Sequence, residues 1–160
     1  MYNDDAAAGE LEEIEFPWLI FKLDGNLYTV NSKMITSIVI KQEEVTFVPN
    51  VSNYMVGLIH LRGNVVPLID LKVLFNLNNV KGENFDTKEI KEMVIVLERD
   101  NSFAGLIVDE VLSVENITPF EETEEIKKMC KDGYVKGVAK GQKNNDVLLI
   151  LDEEKIMNMA

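Results

Sequence analysis

Residues 57–71, GLIHLRGNVVPLIDL, decide the reading of this chain. Two apolar runs, 56–61 and 65–70, flank Arg62-Gly63-Asn64, and the glycine-containing loop between them predicts a β-hairpin. Pro67 has no backbone N–H to donate, so its strand must lie at an edge or carry a bulge at that point. The loop also holds one of the two arginines in the chain, Arg62 and Arg99, so any guanidinium fork for a carboxylate comes from one of these.

Strand-like segments extend on both sides of this hairpin. Upstream, 18–23 and 26–30 flank Asp24-Gly25, a strong two-residue hairpin signal. Residues 34–40 are rich in β-branched side chains, and 45–48 make a short strand ended by Pro49. Downstream, 71–77 suit one short helical turn, and the polar stretch 78–92 reads as a linker loop. Residues 93–98, a turn at Asp100-Asn101-Ser102 and 103–114 make another hairpin. The run EETEEIKK after Pro119 is a solvated loop or short helix, 134–139 and 147–151 form a closing hairpin, and 153–159 form a terminal helix. Residues 1–15 are acidic and have little to bury, which predicts a disordered tail.

The halves echo each other, IFKLDGNLYTV against VIVLERDNSFAGLIV. Short strands with closely spaced turn signals favour barrels or sandwiches. The expectation is an all-β chain of two small barrels, one over 16–77 and one over 93–151.

With 160 residues, 46% of them hydrophobic and 28% charged, the chain has the makings of one globular domain. A formal charge of −12 opposes binding to nucleic acid or an anionic membrane surface, and points to a basic or mixed protein surface as partner. Cys130 is the single cysteine, which fits a reducing compartment and an inert thiol. The start of the chain lacks the basic and apolar stretches of a signal peptide, so no export is expected. The longest apolar runs, at 93–97 and 147–151, are too short to cross a bilayer as helices.

A search for catalytic groups finds little. His60 is the only histidine and Cys130 has no partner at ligand spacing, so neither a multi-histidine metal site nor a cysteine cluster is present. No GxxxxGK loop or strand-following GxGxxG occurs. His60 with Cys130 could form a nucleophile–base pair only if the fold joined them, and alternation instead puts His60 on a sheet face opposite Ile59 and Leu61. Asp70 and Asp109 each follow an apolar run, where a carboxylate most often accepts backbone hydrogen bonds at a strand end. The acidic run 121–125 reads as solvated surface. No cofactor or metal is expected.

The stretch Leu61-Arg62-Gly63 followed by VVPLIDL resembles the CheW family of bacterial chemotaxis adaptors. FKLDGNLYTV resembles that family's opening hairpin, GLIVDEVLSV its Gly-x-x-Val-Asp-x-Val run, and YVKGVA with VLLILDEEKI its closing strands, so the likeness covers about 16–157. The resemblance implies two SH3-like, five-stranded β-barrels around a shared hydrophobic groove, with a short C-terminal helix. It implies an adaptor, cytoplasmic and monomeric in isolation, without an active site. Its partners would be the regulatory domain of the histidine kinase CheA and the cytoplasmic tip of methyl-accepting chemoreceptors, at whose arrays it would gather. Carried over by position, the receptor-binding residues would be Ile35, Ile38, Gly57, Arg62, Gly63 and Val108, and the kinase-binding residues Val45, Phe47 and Tyr54. The chain departs from the family at Ser37, where a glutamate is common, and at His60, where asparagine is common. Arg62 thereby loses its expected internal partner. An adaptor of another chemosensory pathway and a small hydrolase using His60 or an acid pair are the competing readings.

Overall fold

The computed structural model describes residues 16–77, 91–130 and 133–159. The expected tail over 1–15 and nearly all of the expected linker over 78–92 lie outside the described residues.

Eleven strands among the described residues build two sheets. β1 (Trp18–Leu23), β2 (Asn26–Asn31), β8 (Glu110–Glu115), β9 (Ile117–Pro119), β10 (Val135–Gly141) and β11 (Val147–Leu151) form one, in the order β8-β1-β2-β11-β10-β9. β3 (Ile35–Ile40), β4 (Met55–Leu61), β5 (Asn64–Asp70), β6 (Met93–Arg99) and β7 (Ser102–Val108) form the other, in the order β3-β6-β7-β5-β4. The all-β class and the two sheets agree with expectation. The six-strand count of the first sheet comes from β9, a three-residue edge strand.

The grouping of strands differs from the expected division at 16–77 and 93–151. The opening hairpin pairs with the closing strands: β1 lies beside β8, and β2 runs parallel to β11 through Tyr28↔Leu149 and Thr29↔Ile150. Conversely β6 and β7, from the second half, pair with β3 and β5 of the first. The expected single run 103–114 is broken at Asp109, where the chain leaves one sheet for the other. The physical reason is burial: Ala104 to Val108 are buried on both faces of a central strand, a demand that no hairpin from the same half meets.

Turn chemistry fixes the hairpins. Asp24 and Gly25 (φ 54° and 83°), Arg62 and Gly63 (53° and 85°), and Asp100 and Asn101 (50° and 69°) all take the left-handed conformation that a two-residue hairpin requires. Pro67 is accommodated without cost to the ladder. The N–H and C=O of its opposite residue Leu58 both bond to Thr46, and β5 pairs with β7 only over Leu68–Asp70. The expected strand at 45–48 reduces to this single bridge between Thr46 and Leu58.

The main core lies between the sheets. Leu19, Phe21 and Leu23 from β1 meet Ile69, Ile95, Leu97, Leu106 and Val108 from the second sheet, with Ile156 and Met157 of the C-terminal helix α3 (Glu153–Met157). A smaller core of Ile59, Val66, Leu68, Val94, Val96 and Ile107 fills the opposite face of the second sheet. An aromatic row of Phe21, Tyr28, Phe75 and Tyr134, with centroids 5.7, 5.6 and 5.9 Å apart, ties the short helix α1 (Leu71–Leu74) and the start of β10 to the opening hairpin. The EETEEIKK run is helical within α2 (Glu124–Cys130).

The two carboxylates expected at strand ends serve the backbone. Asp70 caps α1, accepting from the amides of Lys72 and Val73. Asp109 accepts from the amide of Asp24 at 2.8 Å and pairs with Lys72 at 2.9 Å, locking the sheet-to-sheet crossing onto the opening hairpin.

Candidate functional site

The second sheet curls until its edge strands face each other, and Arg62 spans the gap. From the turn between β4 and β5, its Nη1 donates to Ser37 Oγ on β3 at 3.1 Å. Beneath this link is a cleft of about 390 Å³. Leu61, Val66, Val96 and Phe103 give it an apolar back wall, while Thr36, Asn64, Glu98 and Asn101 add polar groups. No carboxylate among the described residues pairs with Arg62. The other arginine, Arg99, is committed: it bonds Glu154 and Asn158 and so pins α3.

A second feature runs along β3, on the face of the sheet opposite the cleft. Register puts Ile38 opposite Ile95 and Ile40 opposite Met93, and cross-strand partners share a face. Ile95 belongs to the core between the sheets and Met93 packs against it, so Ile38 and Ile40 continue that apolar face outward. They are 39% and 54% exposed. On the first sheet the edge strand β8 does the same: Val114 lies opposite the core residue Leu19 yet is exposed. Each sheet therefore presents an apolar edge at the rim of the shared core, the pattern expected of a surface that takes an apolar partner.

The residues expected to bind a receptor fall into three groups. Ile38 and Arg62 are exposed and border these features. Ile35, Gly57 and Gly63 are structural to differing degrees. Ile35 is half-buried against the shared core. Gly57 is buried and hard against its neighbour, since a Cβ there would stand 2.6 Å from Val45 Cγ1. Gly63 has open space around it, and its requirement is the left-handed turn alone. Val108 stands apart from all of these: it is fully buried in the shared core and offers no side chain to a partner. It forms the floor where β7 hands over to β8.

Among the expected kinase-binding residues, Phe47 is 76% exposed, the largest value for any large apolar side chain described. Val45 packs against the smaller core and Tyr54 against the larger one. Ile40 and Val114 were not foreseen. Ile40 shares parity with Ile38 along β3, and that alternation was available in the sequence; the exposure of Val114 depends on β8 being an edge, which was not.

The structure does not bring His60 and Cys130 together. His60 is exposed on β4 opposite Val65, whereas Cys130 ends α2, which packs on β10 of the other sheet. Burial, and then the charge of Glu122, push the Cys130 thiol above its ordinary range, away from an activated thiolate. Among the described residues no group of histidine, cysteine and acidic side chains is placed to hold a metal ion.

Comparison with known proteins follows this architecture. Residues 17–160 match the model of the CheW-like domain family. The chain is 31% identical over 104 residues to the chemotaxis protein CheW of Thermotoga maritima, a match covering 65% of this chain and 64% of that protein. It is 29% identical over 153 residues to the chemotaxis protein CheW of Klebsiella aerogenes, covering 94% and 86% respectively. Among solved structures it is similar to the scaffolding protein TtCheW from Thermoanaerobacter tengcongensis. That alignment has a TM-score of 0.64 and 26% identity, and covers 86% of this chain and 89% of that one.

Proposed function

Because the chain belongs to the CheW-like domain family, we propose that it is a non-catalytic adaptor joining the regulatory domain of the histidine kinase CheA to the cytoplasmic tip of chemoreceptors. The observation that carries this reading is the apolar edge of Ile38 and Ile40 on β3, the strand that Arg62 reaches through Ser37. Such a surface suits a helical partner, whose apolar face covers the isoleucines while the guanidinium sets its register. Ile38, Ile40 and Arg62 form the receptor side. Phe47, on the outer edge of β4, is the anchor of the kinase side. Separation of His60 from Cys130 removes the nucleophile–base pair that a hydrolase reading would use. Among the described residues no helix is long and apolar enough to cross a membrane, which suits an adaptor held at arrays in the cytoplasm by its partners.

A co-sedimentation assay with the CheA regulatory domain and a receptor cytoplasmic fragment tests the proposal. Binding to both, with dissociation constants of about 10 μM or tighter, is expected. Failure to bind either fragment sinks the adaptor role.

A further inference from the structure

We infer that Arg62 is one half of an intermolecular ion pair, and that an Asp or Glu side chain of the receptor tip enters the cleft beside Ser37 to complete it. This rests on the adaptor reading above and names the chemistry of one of its contacts. The guanidinium is exposed, and its one hydrogen bond among the described residues goes from Nη1 to the neutral Ser37 hydroxyl. A guanidinium offers five N–H groups in a planar fork, so the remaining edge can take a carboxylate through two parallel bonds.

The fork is also held in place. Arg62 occupies the first position of a two-residue turn with φ 53°, followed by Gly63 at 85°, and Ser37 fixes the far end of its side chain. Holding the donor in one geometry before binding lowers the ordering cost of the contact. Asn64 and Asn101 line the same cleft and can donate further hydrogen bonds to an anion, whereas the Thr36 hydroxyl donates to the Val96 carbonyl. The surroundings sharpen selection, because a chain of net charge −12 repels acidic partners except where a local cation receives them. Glu98 lines the same cleft without pairing to Arg62, and this raises the opposite possibility of a basic side chain entering instead. Arg62 is favoured because it stands exposed at the rim, whereas Glu98 is half-buried on β6.

The test is a set of variants titrated with the receptor fragment. Ser37→Glu supplies Arg62 with an internal carboxylate and is expected to weaken receptor binding roughly 5-fold at low salt, with the loss shrinking at high salt. Arg62→Gln, on an exposed turn, is expected to weaken it by at least as much. The double variant is expected to bind more weakly than Arg62→Gln alone, because the carboxylate introduced by Ser37→Glu then has no cation beside it and repels the incoming acidic side chain. Glu98→Gln is expected to bind as well as the parent chain or better. Affinity for the CheA regulatory domain, unchanged within about 2-fold across the set, shows that each variant is folded.

Receptor binding of Ser37→Glu at the parent level overturns the inference while leaving the adaptor role standing. So does tighter binding by the double variant than by Arg62→Gln alone, which marks a basic group beside residue 37, and so does weakening by Glu98→Gln but not by Arg62→Gln, which marks a basic occupant. Failure of the parent chain to bind either fragment defeats the adaptor reading itself.

Discussion

Gly57 lies against Val45 so closely that a methyl group added at Gly57 would stand 2.6 Å from Val45 Cγ1, with the Thr46 carbonyl pressing from the same side. Gly57→Ala is therefore expected to destabilise the fold by about 2–3 kcal/mol, as overpacking does. Val45→Ala in the same chain should recover only part of this loss, since the Thr46 backbone remains in the way. Chemical denaturation of the two variants measures both effects, and full recovery by Val45→Ala would show that the clash is side-chain only.

Ile38 and Val108 separate contact from core. Ile38→Ser removes an exposed side chain and should change stability by no more than about 0.5 kcal/mol while weakening receptor-fragment binding. Val108→Ala should cost roughly 2 kcal/mol in stability, because it opens space in the shared core. Any binding loss with Val108→Ala should track its loss of folded protein. Parallel denaturation and binding curves decide the matter.

The C-terminal helix is held by burial more than by charge. Arg99→Ala removes bonds to Glu154 and Asn158, but the Glu154 side chain is 57% exposed and water screens the pair. The expected loss is about 1 kcal/mol or less. Ile156→Ala empties a fully buried site and should cost about 3 kcal/mol. Thermal melts of the two variants should therefore differ clearly, and equal midpoints would contradict this ranking.

Glu92 makes stability depend on pH. Burial raises its carboxyl above the ordinary range, and the charges of Asp70 and Asp109 add to this against Lys41 and Lys72. A carboxyl with a raised folded pKa holds its proton more tightly when folded. Its effect is thus to lower stability as pH climbs from the ordinary carboxylate value through the raised one. Glu92→Gln should gain stability at neutral pH and lose that part of the pH slope. Denaturation at several pH values from about pH 4 to pH 7 reads this directly, and an unchanged slope would remove Glu92 as its source.

The hairpins were legible in the sequence because turn chemistry is local. Asp24-Gly25 and Arg62-Gly63 announce left-handed turns whatever surrounds them. The pairing of one hairpin with another was not legible. Nothing in the alternation of β2 specifies that Tyr28 should lie beside Leu149, because side-chain parity encodes a face and not a neighbour. The same limit explains Val108. In a strand buried on both faces every residue reads as apolar, so a partner-facing position and a core position look alike. At Arg62 the sequence showed a lost partner, and only the fold showed what replaced it, the hydroxyl of Ser37 from 25 residues away.

The interleaving of the two sheets has a consequence for synthesis on the ribosome. The five-stranded sheet needs nothing beyond Val108, so it can close while the last third of the chain is still being made. The opening hairpin was translated first but waits longest, because its second strand has no parallel neighbour until Leu149 and Ile150 emerge. For that interval the outer edge of β2, which carries the apolar residues Tyr28 and Val30, is unpaired on a nascent chain, the kind of segment on which chaperones act.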